Sequence, residues 1–218
     1  MSIKVWPRGR VEVVVPPRTR PRDVQAFVSE HSDWISSTRA AFAREIPPEP
    51  FRLPDRIELP AIDRRIGVLY SPTEGARSVR YRQTGDILRL SGRTEDAGLC
   101  TAALKRWLAG MARAHIGPQL DELSRVTGNR YGRLRVAGQK TCWGSHSSSG
   151  TLSINYCLLF LRPELVRYLL IHELCHATHM NHSRRFWALV RRHEPGYRRL
   201  DRQLSEGWKS IPAWVGLA

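Results

Sequence analysis

The chain has 218 residues, of which 41% are hydrophobic and 25% charged, so it has the length of one domain or a domain with an appendage. That much apolar surface offsets the entropy of ordering a core, which excludes a disordered chain and a small disulfide scaffold. Formal net charge is +15, carried almost wholly by arginine (the lysines are Lys4, Lys105, Lys140 and Lys209), and such a balance suits contact with polyanions or a solvated basic surface. No uncharged apolar run approaches the roughly 18–20 residues that cross a bilayer, and the start has too short an apolar stretch for a signal peptide. A cytoplasmic protein without membrane association is expected. Cys100, Cys142, Cys157 and Cys175 lie scattered with no C-x-x-C pair, which suits reduced thiols.

In chain order, the alternating runs 3–6 and 10–15, separated by Pro7-Arg8-Gly9, predict a β-hairpin. One helix follows, with Pro21 in its first turn and Val24, Phe27, Val28, Trp34 and Ile35 on one face, ended by the proline-rich segment 45–55. Runs 57–59, 65–71, 78–83 and 87–91 predict a small antiparallel meander, with Thr84-Gly85-Asp86 turning between the last two. From Glu95 the pattern becomes helical: Ala103, Leu104, Trp107, Leu108 and Met111 form a stripe, Gly117-Pro118 predicts a kink and Thr127-Gly128-Asn129 an end. Segments 133–137 and 151–160 read as strands around a loop of small polar residues, 139–150, and the remainder as helices.

The sharpest signal is His172-Glu173-Leu174-Cys175-His176, an H-E-x-x-H on an apolar helix that begins at Pro163. Residues four apart lie on the same side of a helix about 6 Å apart along its axis, so His172 and His176 can share one ion. Zinc suits imidazole donors, and a catalytic zinc takes three protein ligands with water in the fourth place. Glu173 then stands beside that water as general base. Leu170 and Leu174 lie about 200° from the two histidines, so burying them turns the imidazoles towards a cleft.

The third ligand is His179 or His182. On a continued helix His179 falls in a column with the first two, about 10.5 Å from His172, which converges badly. His182 requires the chain to turn near Met180-Asn181. Asn181 tolerates a left-handed conformation and Ser183 is a good N-cap for the next helix, so the spacing favours His182 and leaves His179 as an outer or surface residue.

The stretch WGSHSSSGTLSINYCLLFLRPELVRYLLIHELCHATHMNHSRRFWALVRRHEPGYR resembles the YgjP-like metal-dependent hydrolases, a zincin group. It carries a Trp-Gly-Ser loop, a strand with Asn155, a proline-led helix with HELCH, then His-Met-Asn-His-Ser and Phe186-Trp187. The N-terminal hairpin and the helix reaching Trp34-Ile35 are also similar, so the resemblance covers most of the chain and is strongest from Gln139 to Tyr197. It implies His172, His176 and His182 as zinc ligands and Glu173 as catalytic acid/base. His146 is a departure, since the loop of that family usually has cysteine there.

Other residues carry weaker signals. Cys175 lies on a different helical face from the ligands and reads as a buried small side chain. Lys140 and Ser145 in the 139–150 loop are candidates for holding an anionic substrate, although a plain strand connection explains that loop more simply, with Trp143 packing. His146 is placed at the surface sooner than in the cleft. Tyr156, Tyr168 and Tyr197 are unranked candidates for stabilising an oxyanion. Trp208 and Trp214 read as tail packing over the catalytic half.

The expected fold is α+β: a zincin-like catalytic domain, 94–218, built on the HExxH helix and preceded by a β-rich antiparallel N-terminal part with one helix, 1–93. The expected function is a zinc-dependent hydrolase of metallopeptidase type. One alternative, implied by activities assigned within the family, is a nucleoside-triphosphate (UTP) pyrophosphatase using the same metal. Such enzymes usually hold Mg²⁺ with carboxylates, whereas this motif is built from imidazoles. The other is a nucleic-acid-associated metalloprotein, for which the positive charge argues.

Overall fold

Residues 1–6, 11–45, 51–139 and 141–216 are described in the computed structural model, and they divide into two compact units, 1–51 and 52–217. In the first unit the alternating runs pair antiparallel as β1 (Ser2–Val5) and β2 (Val11–Val14), with Ile3 opposite Val13. The predicted turn at 7–9 and the prolines at 47, 48 and 50 lie outside the described residues. Two helices stand where one was expected, α1 (Pro21–Glu30) and α2 (Ser32–Glu45). The break falls at His31, whose ring Nδ1 donates to the Phe27 carbonyl at 2.8 Å and caps the first helix. The break resets the helical phase: Ile35 is buried while Trp34 faces solvent.

The second unit opens with a four-stranded sheet of β3 (Arg56–Leu59), β4 (Arg64–Pro72), β5 (Val79–Thr84) and β6 (Ile87–Gly92), ordered β3-β4-β6-β5. It is a mixed sheet and not the expected meander, because β6 inserts between β4 and β5 and runs parallel to β4. The β5–β6 hairpin closes through Gly85 at φ 57°, a conformation glycine adopts without steric cost. The inner face, with Ile57, Ile66, Val68, Leu88 and Leu90, packs in one hydrophobic core with α3 (Ala97–Thr127). Trp107 on that helix donates its indole N–H to Gln83 of β5 at 2.8 Å. This core joins the four-stranded sheet and α3 within the second compact unit.

The helix α3 starts at an Asp96 cap, runs through Pro118 without interruption and ends at Gly128, φ 70°. A second sheet follows, β7 (Arg133–Ala137), β8 (Gly144–His146) and β9 (Thr151–Asn155), in the order β7-β9-β8. The run expected as a strand to 160 stops at Asn155, whose side chain accepts from the Cys157 N–H at 3.1 Å and starts a 3-10 turn over 156–160. The loop 139–150 contains the short edge strand β8, antiparallel to β9, which small polar residues concealed. Three helices complete the chain: α4 (Pro163–Cys175), α5 (Arg184–His193) and α6 (Tyr197–Glu206). The architecture is α+β, as expected. No helix among the described residues is long and apolar enough to cross a membrane.

Candidate metal centre

The helix α4 is buried along Leu170 and Leu174, as the leucine spacing requires, and this turns His172 and His176 to the other side of the helix, where His172 is half-buried and His176 buried. It ends at Cys175 with His176 as its C-cap, several residues before Met180-Asn181 where the turn was expected. The termination is a tightened turn in which the His176, Ala177 and Thr178 N–H groups bond three residues back, to Glu173, Leu174 and Cys175. Two side chains hold it. His176 Nδ1 donates to the His179 carbonyl at 3.0 Å, and Thr178 donates to Asn129 Oδ1 at 2.7 Å, tying the turn to the end of α3. Among the described residues the non-glycine positive φ values belong to Arg18 and Asp63, so Asn181 does not use the left-handed conformation. Ser183 caps α5 through the Phe186 N–H at 3.4 Å, as its position suggested.

This path brings His182 back onto α4. The ligand atoms of His172, His176 and His182 all lie within 4.8 Å of one another. His172 Nε2 faces His182 Nε2 at 3.1 Å. Two nitrogens about 2.0–2.1 Å from a tetrahedral zinc lie about 3.3–3.4 Å apart, so this spacing fits a shared ion. The tautomers fit as well: Nδ1 of His176 donates to a carbonyl, which leaves Nε2 free as a lone-pair donor. His172 Nδ1 is buried with no partner among the described residues.

Burial, reinforced by His176 and His182, pushes the His172 pKa down to about 3, and burial likewise lowers that of His176. Both imidazoles therefore stay neutral, the form that binds metal. Aromatic rings fix them in place: Phe186 stacks on His176 at 4.5 Å, Trp187 on His182 at 5.5 Å, and Tyr197 on Trp187 at 5.3 Å. Phe186 and Trp187 thus form an aromatic wall against the imidazoles.

Glu173 is 5% exposed, and burial raises its carboxyl to about 8. The edge strand β8 passes directly over it. A Cβ at Gly144 would stand 2.9 Å from Glu173 Cγ and Oε1, so only glycine leaves room for the carboxylate as placed. His146, expected at the surface, instead sits half-buried with Nδ1 donating to the Glu173 main-chain carbonyl at 2.7 Å. Asn155 braces the preceding loop by donating to the Gln139 and Cys142 carbonyls at 2.6 and 3.3 Å. Gly144 and His146 lay within the Trp-Gly-Ser-His run, but only the register of an unrecognised strand puts them beside Glu173.

The remaining candidates do not join the cluster. Cys175 is buried, with its thiol pushed up to about 12. The Tyr168 hydroxyl donates to Asp201 at 2.7 Å, and Tyr156 is buried. Trp143 packs, stacked on Trp208 at 3.8 Å with its indole N–H on the Leu204 carbonyl. Ser145 is exposed on β8, and Lys140 lies outside the described residues.

A histidine cluster at the end of a core helix, with a buried carboxylate under a sheet edge, places the chain among metal-dependent hydrolases of peptidase type. It belongs to the YgjP-like family: the model described as "YgjP-like, metallopeptidase domain" matches residues 1–207. No curated protein matches the chain. Among solved structures it is similar to the zymogen of the metallopeptidase abylysin from Pyrococcus abyssi, 26% identical over 42% of this chain and 93% of that one, with a TM-score of 0.38. It is also similar to the jannalysin zymogen from Methanocaldococcus jannaschii, 21% identical over 42% and 94%, with a TM-score of 0.38.

Proposed function

We propose that the protein is a zinc-dependent peptidase in which His172, His176 and His182 hold the metal and Glu173 moves the proton. The convergence of three imidazole nitrogens within 4.8 Å, flanked by a buried carboxylate, carries this reading. The donor set, all nitrogen, suits zinc better than Mg²⁺, which weighs against a phosphoanhydride substrate. Zinc bound there supplies Lewis acidity, polarising a carbonyl oxygen and bringing the pKa of a bound water to about 7. Burial raises the Glu173 pKa in the metal-free protein, and beside a bound dication the group would be ionised; as a carboxylate it takes the proton from the attacking water and returns it to the leaving amine nitrogen.

The sheet edge supports a peptide substrate. Hydrogen bonds from Asn155 N to Trp143 O and from Ser147 N to Thr151 O set the register of β8 on β9. By alternation the main-chain N–H and C=O groups of Gly144 and His146 point away from β9, towards an edge that no strand among the described residues pairs. An extended peptide can pair there as an added strand, which brings its carbonyls past Glu173. The test is casein hydrolysis by the zinc-loaded protein. Glu173→Gln is expected to retain one equivalent of zinc and lose turnover by at least about 10²-fold. UTP cleavage that depends on Glu173, without casein cleavage, would replace this reading.

A further inference from the structure

The solvent face of the four-stranded sheet has no part in the metal centre, and its charge is lopsided. Alternation against the buried Ile57, Ile66, Leu88 and Leu90 puts Arg56, Arg65, Arg80, Arg82 and Arg89 on this face, all exposed, with Glu58 as the acidic residue among them. Arg82 stands directly opposite Arg89 in the β5–β6 register. Like charges placed so are destabilising, and no acid separates them. None of the five takes part in an ion pair among the described residues.

Charged side chains on an edge strand guard against aggregation, which accounts for Arg80 and Arg82 on β5. It does not account for Arg89 on the interior strand β6, which faces Arg82, whereas Arg65 on β4 stands opposite Glu58 in register without forming an ion pair with it. A general arginine excess does not by itself choose one face of one sheet.

We propose that this sheet face binds the phosphate backbone of nucleic acid. Outward side chains on a sheet form a grid, about 4.8 Å between strands and about 6.7 Å between alternate residues, so neighbouring guanidinium forks can engage several phosphates at once. Tyr70 and Tyr81 both stand opposite Leu90 and therefore belong to the inner side, which leaves this face without an aromatic platform for bases. Binding is accordingly to the backbone and independent of sequence. Leu69 and Ile87 are exposed here but lie within the sheet, where they are poorly placed to insert into a bilayer.

The test measures anisotropy of a labelled mixed-sequence DNA duplex titrated with the full-length, zinc-loaded protein from about 50 to 200 mM salt. The triple variant Arg80→Gln/Arg82→Gln/Arg89→Gln is expected to bind at least about tenfold more weakly at the lowest salt and to reduce the log–log salt slope by about 2.7, near 0.9 per lost phosphate contact. Its casein activity stays at the wild-type level, showing that it is folded. A control with the same charge loss on α5 and α6, Arg191→Gln/Arg192→Gln/Arg199→Gln, is expected to change affinity by less than about twofold. Equal losses from the two triples would reduce the effect to net charge and overturn the proposal. So would absence of duplex binding at the lowest salt, or a sheet-dependent affinity confined to polyglutamate or to phosphatidylserine vesicles.

Discussion

Replacing Gly144 by alanine tests the placement of Glu173 with a single methyl group. The added carbon would lie 2.9 Å from Glu173 Cγ and Oε1 and 3.0 Å from its carboxyl carbon, whereas carbon–carbon contacts are comfortable at about 3.5–4.0 Å. Either strand β8 or the carboxylate must move by about 0.6–1 Å. Strand β8 is tied to β9 and, through His146, to the Glu173 carbonyl, so the side chain is expected to give way. A displacement of about 1 Å in a catalytic group costs about 10² in rate. Gly144 does not have a positive φ, so alanine fits its backbone, and the three atoms nearest the added methyl all belong to the Glu173 side chain. The expected result is a fall of about 10² in kcat on casein, with one equivalent of zinc retained and a native circular dichroism spectrum. Wild-type kcat in that variant would show that the carboxylate position does not matter and would refute the role assigned to Glu173.

Other outcomes follow from the same geometry. His182→Ala should weaken zinc binding by at least about 10²-fold in competition with a chelator, while His179→Ala, which contributes only a main-chain carbonyl to His176, should leave it within a few-fold. Thr178→Val leaves the 6%-exposed Asn129 without its Oδ1 partner and should cost about 1–3 kcal/mol by urea denaturation, with a weaker zinc affinity because the turn to His182 loosens. In the metal-free protein the folded-state pKa of His172, about 3, lies below its unfolded value near 6.5. Its contribution to stability is therefore complete above pH 6.5 and declines as pH falls towards 3, by a few kcal/mol at most. Denaturation midpoints of His172→Asn measured across that window should show a shallower dependence on pH than the parent protein.

The helix bearing the HExxH pair was legible because its determinants are local: Pro163 at the start, buried leucines at regular spacing, and histidines four apart. His182 was legible as well, but for an incomplete reason. The turn was read from Asn181, whereas the chain turns at His176–His179 because Thr178 bonds Asn129, 49 residues away in sequence, and no local pattern encodes that pairing. The mixed order of the first sheet escaped for the same cause, since short alternating runs specify strands but not which neighbour each one takes. Strand β8 was hidden by glycine and serine, which have low strand propensity, and with it went the contacts of Gly144 and His146 on Glu173.

X-ray absorption at the zinc edge, on protein purified without added chelator, interrogates the proposed coordination itself. Stoichiometric zinc with three imidazole nitrogens and one oxygen at about 2.0–2.1 Å is the predicted spectrum. A sulfur shell near 2.3 Å, or a folded protein that takes up no zinc, would contradict it.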